Sequence, residues 1–359
     1  MPEPLKNMIN YDMLLGVASA VRTVYSPFEV DAFIAAVMDE TWDGLELLAR
    51  SRKITVTIAK FLPQDYATAV DILEKALQGN PTAFFFPDFI EVFGQDEENW
   101  DISVAALGRN TCFWSSELAV RPFIVKDESR MMAQMYEWSL SDDEHLRRLS
   151  SEGCRPALPW AMALSKFKKD PSPVLPILTR LRADPSLYVR RSVANNLNDI
   201  SKTHPELVVA LAQEWYGENE DTNWIIKHAL RSLLKKGNRD ALALFGYSGD
   251  AAVTAADFSL DKNSVKIGGD ISFSFVLTAA AETKVRLEFG IDYVKANGKQ
   301  SRKIFQISEM TMRENETKTY VKKHSFADLS TRKHYPGGHA ITLIVNGTPC
   351  GTVDFEVTV

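Results

Sequence analysis

The 359-residue chain carries only three cysteines, Cys112, Cys154 and Cys350, far apart along the sequence. That spacing forms neither a disulfide framework nor a metal-ligand pattern, and a reducing, cytoplasmic setting is its simplest account. The six histidines (His145, His204, His228, His324, His334 and His339) show no ligand spacing either, so no metal and no other cofactor is expected. Long apolar runs are missing: the longest candidate, residues 83–86, lies between Pro81 and Pro87 and is far too short to span a membrane. No charged region followed by an apolar stretch opens the chain, so no secretory signal is expected. Gly-x-Ser-x-Gly and Gly-x-x-x-x-Gly-Lys are both absent, which argues against a nucleophile-elbow hydrolase and a P-loop nucleotidase.

Positive charge is also scarce overall, with a net charge of −6, but it is unevenly spread. Residues 1–144 hold 11 Lys/Arg against 24 Asp/Glu, a net −13. Residues 145–240 hold 16 against 10, a net +6, and residues 257–359 hold 14 against 12, a net +2. A local basic face is what phosphate binding needs, and the whole-chain charge does not exclude it.

The length suggests two domains, and the hydrophobic periodicity changes once along the chain. The first two thirds read as amphipathic helices, for example residues 31–48 around a turn at Trp42-Asp43-Gly44, and residues 66–77 stopped by Gly79-Asn80-Pro81. From about residue 127 a unit repeats: an apolar helix, an acidic turn, then a second helix with basic residues near its start. The basic pairs are Arg147-Arg148, Arg190-Arg191 and Lys227-His228, about forty residues apart, the range of HEAT and armadillo units. Stacked units of that kind build a solenoid with a concave face. Residues 247–256 read as a linker of small residues. From Asp257 the period becomes two, and about seven short strands separated by turns such as Asn297-Gly298 and Asn346-Gly347 predict an immunoglobulin-like β-sandwich without the Cys…Trp…Cys core. The expected architecture is a HEAT-like α-helical solenoid (1–246), a linker, and a β-sandwich (257–359).

Candidate chemistry gathers in residues 149–160, where Glu152, Arg155 and Trp160 accompany Pro156 and Pro159. The prolines forbid a regular helix, so Glu152 should lie at a helix end and Trp160 should begin the next segment. An interhelical corner with a core tryptophan is the plainer account of this stretch by itself. Glu117 and Arg121 are spaced to pair on one helix face before Pro122 ends the segment, as ordinary surface pairs do. Asp199 closes the run Asn195-Asn196-Leu197-Asn198, which suits a fraying helix end as well as a third functional carboxylate. In each basic pair one member should bind the acidic turn. The other, with Lys166, Lys202, Arg231, Lys235 and Lys236, would form either a solvated face or a stripe that follows a phosphate backbone.

Three motifs together resemble the AlkC family of bacterial alkylpurine DNA glycosylases. They are Ser116-Glu117-Leu-Ala-Val-Arg121-Pro122-Phe123, then Arg147-Arg148-Leu149-x-x-Glu152-Gly153-x-Arg155-Pro156-x-Leu158-Pro159-Trp160, then Val189-Arg190-Arg191-Ser192-Val193-Ala194-Asn195-Asn196-Leu197-Asn198-Asp199. The resemblance extends over essentially the whole chain and departs from the family pattern at Ala157, where that pattern has a basic residue. It implies a monomeric, cofactor-free enzyme that cradles double-stranded DNA and excises N3-methylated bases such as 3-methyladenine and 3-methylcytosine without flipping them into a deep pocket. Glu117, Glu152 and Asp199 would be its catalytic carboxylates, with Trp160 beside the damaged nucleotide. Arg121, Arg148, Arg155, Lys166, Arg190, Arg191, Lys202, Lys227, His228, Arg231 and Lys235 would be its DNA contacts. A non-catalytic solenoid that binds protein or nucleic acid is the alternative, since solenoids bind far more often than they catalyse.

Overall fold

The computed structural model describes residues 3–80, 83–249, 252–329 and 332–359. Among them, helices fill the chain as far as Leu244, and eight strands follow from Val253. Contacts divide the chain into two compact units: residues up to Thr203 with Trp215–Ala229, and His204–Glu214 with Leu230–Val359. No helix of the described residues is long and apolar enough to cross a membrane.

The helical repeat is present as read. Its helices run in the expected order: Glu128–Ser139 then Glu144–Gly153, Leu175–Arg180 then Leu187–Ile200, and Pro205–Trp215 then Glu220–Ala229. Leu187–Ile200 packs between Glu144–Gly153 and Glu220–Ala229. Its face of Val189, Val193, Leu197 and Ile200 is fully buried, and these four residues at helical spacing are what its neighbours cover. The first member of each arginine pair is structural. Arg147 donates to the Ser141 and Asp142 carbonyls of its own turn at 3.0 and 2.9 Å, and to Asp184 of the next turn at 2.7 Å. Arg190 repeats the pattern on the Asp184 and Pro185 carbonyls, both at 2.8 Å, and on Asp221 at 3.2 Å. Each guanidinium thus ties one unit to the next.

The strands are β1 (Val253–Leu260), β2 (Ser264–Lys266), β3 (Asp270–Ala279), β4 (Thr283–Val294), β5 (Gln300–Met312), β6 (Thr317–Ser325), β7 (Gly337–Val345) and β8 (Thr348–Thr358). They form one sheet of order β1-β3-β6 and another of order β2-β8-β7-β4-β5. Phe273, Phe275, Leu287, Phe289, Ile291, Ile341 and Leu343 fill the space between them. Two strands differ from the sequence reading. β1 begins inside the segment taken as linker, because its Val-Thr-Ala-Ala composition hides the alternation that its pairing with β3 reveals. β2 is three residues long, too short for alternation to mark it, and pairs in parallel with β8.

Candidate active site

The site grows from the Glu144–Gly153 helix. Arg148 and Glu152 are one turn apart on it, while Leu149 is fully buried beneath them. Gly153 ends the helix where an added Cβ would lie 2.6 Å from Val120 and 2.8 Å from Met135, so a larger residue would have to displace both side chains. Arg155 then turns back, and Pro156 prevents the helix from resuming. The loop that follows is closed by hydrogen bonds from Ala161 N to Leu158 O and from Leu164 N to Pro156 O, at 3.3 and 3.2 Å. Trp160 sits on this loop with a φ of 65° and is 73% exposed. It therefore does not pack in the core, as the plainer account of this stretch had it. It rims a groove of about 690 Å³ lined also by Phe84, Phe113, Trp114 and Met162.

Arg121 holds this loop from inside. It is fully buried and donates to the carbonyls of Gly153, Arg155 and Met162 at 2.8, 2.9 and 2.7 Å. Burial pulls its pKa down to about 10, with Cys154 and the carboxylates of Asp199 and Glu152 opposing. Expected among the DNA contacts, Arg121 instead fastens both ends of a loop and cannot reach a phosphate. Nor does it pair with Glu117. Pro122 does not end a helix either: it lies in the first turn of the Val120–Lys126 helix, where a missing N–H costs nothing.

Three carboxylates and three cations are drawn into one chain. Glu117 Oε2 pairs with Arg148, which also bonds Ser115 Oγ and lies 3.7 Å from Glu152 Oε1. Arg155 donates to Glu152 Oε1 at 2.6 Å and, through Nε, to Asp199 Oδ2 at 2.9 Å. Lys202 donates to Asp199 Oδ1 at 2.8 Å. The formal charges cancel. Burial works against the charge of Arg148, but Glu117 and then Glu152 outweigh it and hold its pKa up. Arg155 is likewise opposed by burial and held up by Glu152 and Asp199.

The oxygens are not equivalent. Both oxygens of Asp199 are occupied, and its residue is 5% exposed. Among the described residues no hydrogen bond reaches Glu152 Oε2 or Glu117 Oε1, and neither atom is sealed from solvent. Two carboxylate oxygens are thus left without a hydrogen bond in a chain otherwise neutralised by its own cations, one on the partly exposed Glu117 and one on Glu152, which is as buried as Asp199.

Polar seams set the register of the helices that carry these groups. Asn196 donates to Ser151 O at 2.8 Å, Ser151 to Ser192 Oγ at 2.7 Å, and Asn198 to Ala229 O at 2.8 Å. The asparagine run is a set of buried interhelical ties, not a fraying end.

The remaining cations are dispersed. Arg155, at 8% exposure, lies inside the chain of charges, and Arg190 is spent on the repeat. Lys202 is held by Asp199, while Lys166 is exposed and 3.4 Å from Glu128. Arg191 is exposed with no ion-pair partner among the described residues, and Lys227 is exposed too. His228 stacks on Trp224 with ring centroids 5.1 Å apart. Arg231 and Lys235 lie on a short helix, Arg231–Lys235, of the unit that contains the strands. Sequence reasoning missed Ser115 and Tyr188. The Tyr188 ring lies under the Arg148 guanidinium, 5.1 Å from centroid to Cζ.

The geometry can be set beside known proteins. A family described as DNA alkylation repair enzyme matches residues 67–233, which include Glu117, Glu152 and Asp199. A second, the C-terminal Ig-like domain of the uncharacterised protein YhaZ, matches residues 254–359. The uncharacterized protein YhaZ of Bacillus subtilis (strain 168) is 45% identical over 359 residues, 98% of this chain and 99% of that one. The chain belongs to the DNA alkylation repair enzyme family. A solved member, Pseudomonas fluorescens alkylpurine DNA glycosylase AlkC bound to DNA containing an abasic site analog, is 36% identical. It superposes with a TM-score of 0.95 over 99% of this chain and 100% of its own. Similarity to these two relatives thus extends through both the helical region and the Ig-like sandwich.

Proposed function

We propose that the protein is a monofunctional DNA glycosylase, active as a monomer, that hydrolyses the N-glycosidic bond of N3-methylated bases in duplex DNA. The observation that carries this reading is the pair of open carboxylate oxygens, Glu117 Oε1 and Glu152 Oε2, in a belt whose other groups are neutralised. Kinship with an alkylpurine DNA glycosylase supports the substrate class. A base methylated at N3, such as 3-methyladenine or 3-methylcytosine, is already cationic, so it departs with the bonding electron pair without needing a general acid. What remains is an oxocarbenium-like sugar. The open carboxylates would stabilise it electrostatically and take a proton from the water that adds at C1′. Asp199, saturated by Arg155 and Lys202, would hold Arg155 against Glu152 instead of meeting substrate. Trp160 would pack on the deoxyribose or the cationic base from its exposed loop.

Without a deep pocket the damaged base need not leave the helix, and selectivity would rest on the charge and lability of the lesion. Arg191, Lys166 and Lys227 are the exposed cations best suited to phosphate contact, with residues 257–359 completing the hold on the duplex. The test is release of free base from duplexes carrying a single 3-methyladenine or 3-methylcytosine, beside Glu152→Gln. Release by the native protein, slowed roughly 100-fold or more in the variant with DNA binding retained, is expected. A native protein that binds DNA and releases no methylated base would be a non-catalytic scaffold.

A further inference from the structure

We infer that Tyr188 is a positioning residue of this site, its ring holding Arg148 on Glu117 and so leaving Glu152 Oε2 open. The inference rests on the carboxylate reading above and extends it to a residue outside the acidic set. Arg148 has two carboxylates within reach. Glu152 is the local one, a turn away on the same helix, and such i,i+4 pairs form readily. Glu117 is thirty-one residues distant, yet it is the one that takes the hydrogen bond, while Glu152 stays at 3.7 Å. Arg155 already takes Glu152 Oε1 at 2.6 Å, but Oε2 of the same carboxylate is left over, so neither helical proximity nor that competitor alone keeps Arg148 on Glu117.

Two groups lie on the Glu117 side of that choice or beneath it. Ser115 Oγ bonds the same Arg148 nitrogen as Glu117, and the Tyr188 ring supports the guanidinium at 5.1 Å, within cation–π range. The ring is itself braced by His145, edge-on at 5.7 Å and 66°. Tyr188 lies in the first turn of the Leu187–Ile200 helix, the element that also brings Asp199. One helix thus sets both ends of the charge chain. Its hydroxyl has no hydrogen-bond partner among the described residues, so the ring and not the phenol group is what touches the machinery. With the ring gone, Arg148 is free to fall onto Glu152, its intrahelical neighbour. That move occupies the carboxylate that has to face the sugar cation.

Tyr188→Leu keeps apolar bulk and removes the π face, whereas Tyr188→Phe keeps the face and removes only the hydroxyl. Single-turnover release of 3-methyladenine should slow about tenfold in Tyr188→Leu, with DNA affinity unchanged, and return to within twofold of native in Tyr188→Phe. In an Arg148→Met background, Tyr188→Leu should add nothing, because the ring acts through that guanidinium. A crystal structure of Tyr188→Leu should show Arg148 hydrogen-bonded to Glu152 and displaced from Glu117. Native rates in Tyr188→Leu, equal loss in Tyr188→Phe, or an undisturbed Arg148–Glu117 pair in that structure would each overturn the inference. If the native protein releases no base, the glycosylase reading fails, while the position of Arg148 in the Tyr188→Leu structure still decides the role of the ring.

Discussion

Each unit of this molecule holds a buried network of carboxylates and guanidinium groups. In the sandwich, Arg286 on β4 pairs with Glu288 two residues on and with Glu309, its cross-strand partner on β5. In the helical unit, Glu117, Arg148, Glu152, Arg155 and Asp199 are gathered from segments 31 to 44 residues apart. Both networks alternate sign, and both leave a carboxylate oxygen without a hydrogen bond. In the sandwich that oxygen, Glu288 Oε2, is sealed in a residue with no exposure. In the helical unit neither open oxygen is sealed in this way, and Glu117 is partly exposed. A sealed network can only hold structure, whereas an open one is available to a ligand, so accessibility and not charge content separates the two.

The sharpest way to break this contrast is to remove one member from each network. Glu152→Gln, which keeps the shape of the side chain, should leave the chain folded and lose most of the base release. Arg286→Met should do the reverse. Removing the partner of the fully buried Glu288 is expected to cost about 3–5 kcal/mol in denaturant unfolding, with the release rate per folded molecule unchanged. Loss of activity without loss of stability in Arg286→Met would erase the distinction.

Acidity should separate the units next. Burial pushes the His324 imidazole down to about 4 from its ordinary 6.5, with Arg332, His334 and Lys303 adding to the shift and Asp270 opposing it. Between those values the unfolded chain binds a proton that the folded sandwich refuses. Stability is therefore lost as pH falls from 6.5 towards 4 and does not change from this source above 6.5. Melting of the full chain over that range, beside His324→Phe, should show the slope reduced in the variant. The smallest effect is expected at Arg191, outside both networks. Arg191→Ala should lower the salt dependence of DNA binding by about one counterion and leave base release at low salt unaltered.

Much of this plan could be read before any coordinates. The change from helical to alternating periodicity marked the two halves of the fold, and the spacing of Arg147 and Arg190 marked the repeat, because both are local patterns. Glu152 was legible as a helix-end carboxylate because Pro156 and Pro159 forbid continuation. The partner of Glu117 was not legible. Sequence spacing offers Arg121 four residues away, but the helix begins at Val120, so the two never share a face. Arg121 turns inward, and Arg148 of the next helical unit takes the vacancy. The buried ties of Asn196 and Asn198 were hidden for the same reason: their acceptors, Ser151 O and Ala229 O, belong to neighbouring units. Tyr188 left no trace in the sequence because its importance lies in a guanidinium forty residues upstream.

The belt of charges takes its members from before the Glu144–Gly153 helix, from that helix and the loop after it, and from the Leu187–Ile200 helix of the next unit. The stack therefore has a phase. A solenoid of this type can gain or lose a whole unit and still fold, since each unit leans only on its neighbours. Excising one forty-residue unit between Glu117 and Asp199 would preserve such a scaffold and leave it without a second or third carboxylate in register. Repeat proteins commonly diversify by changing their number of units, and this one is barred from that route across the span of its site.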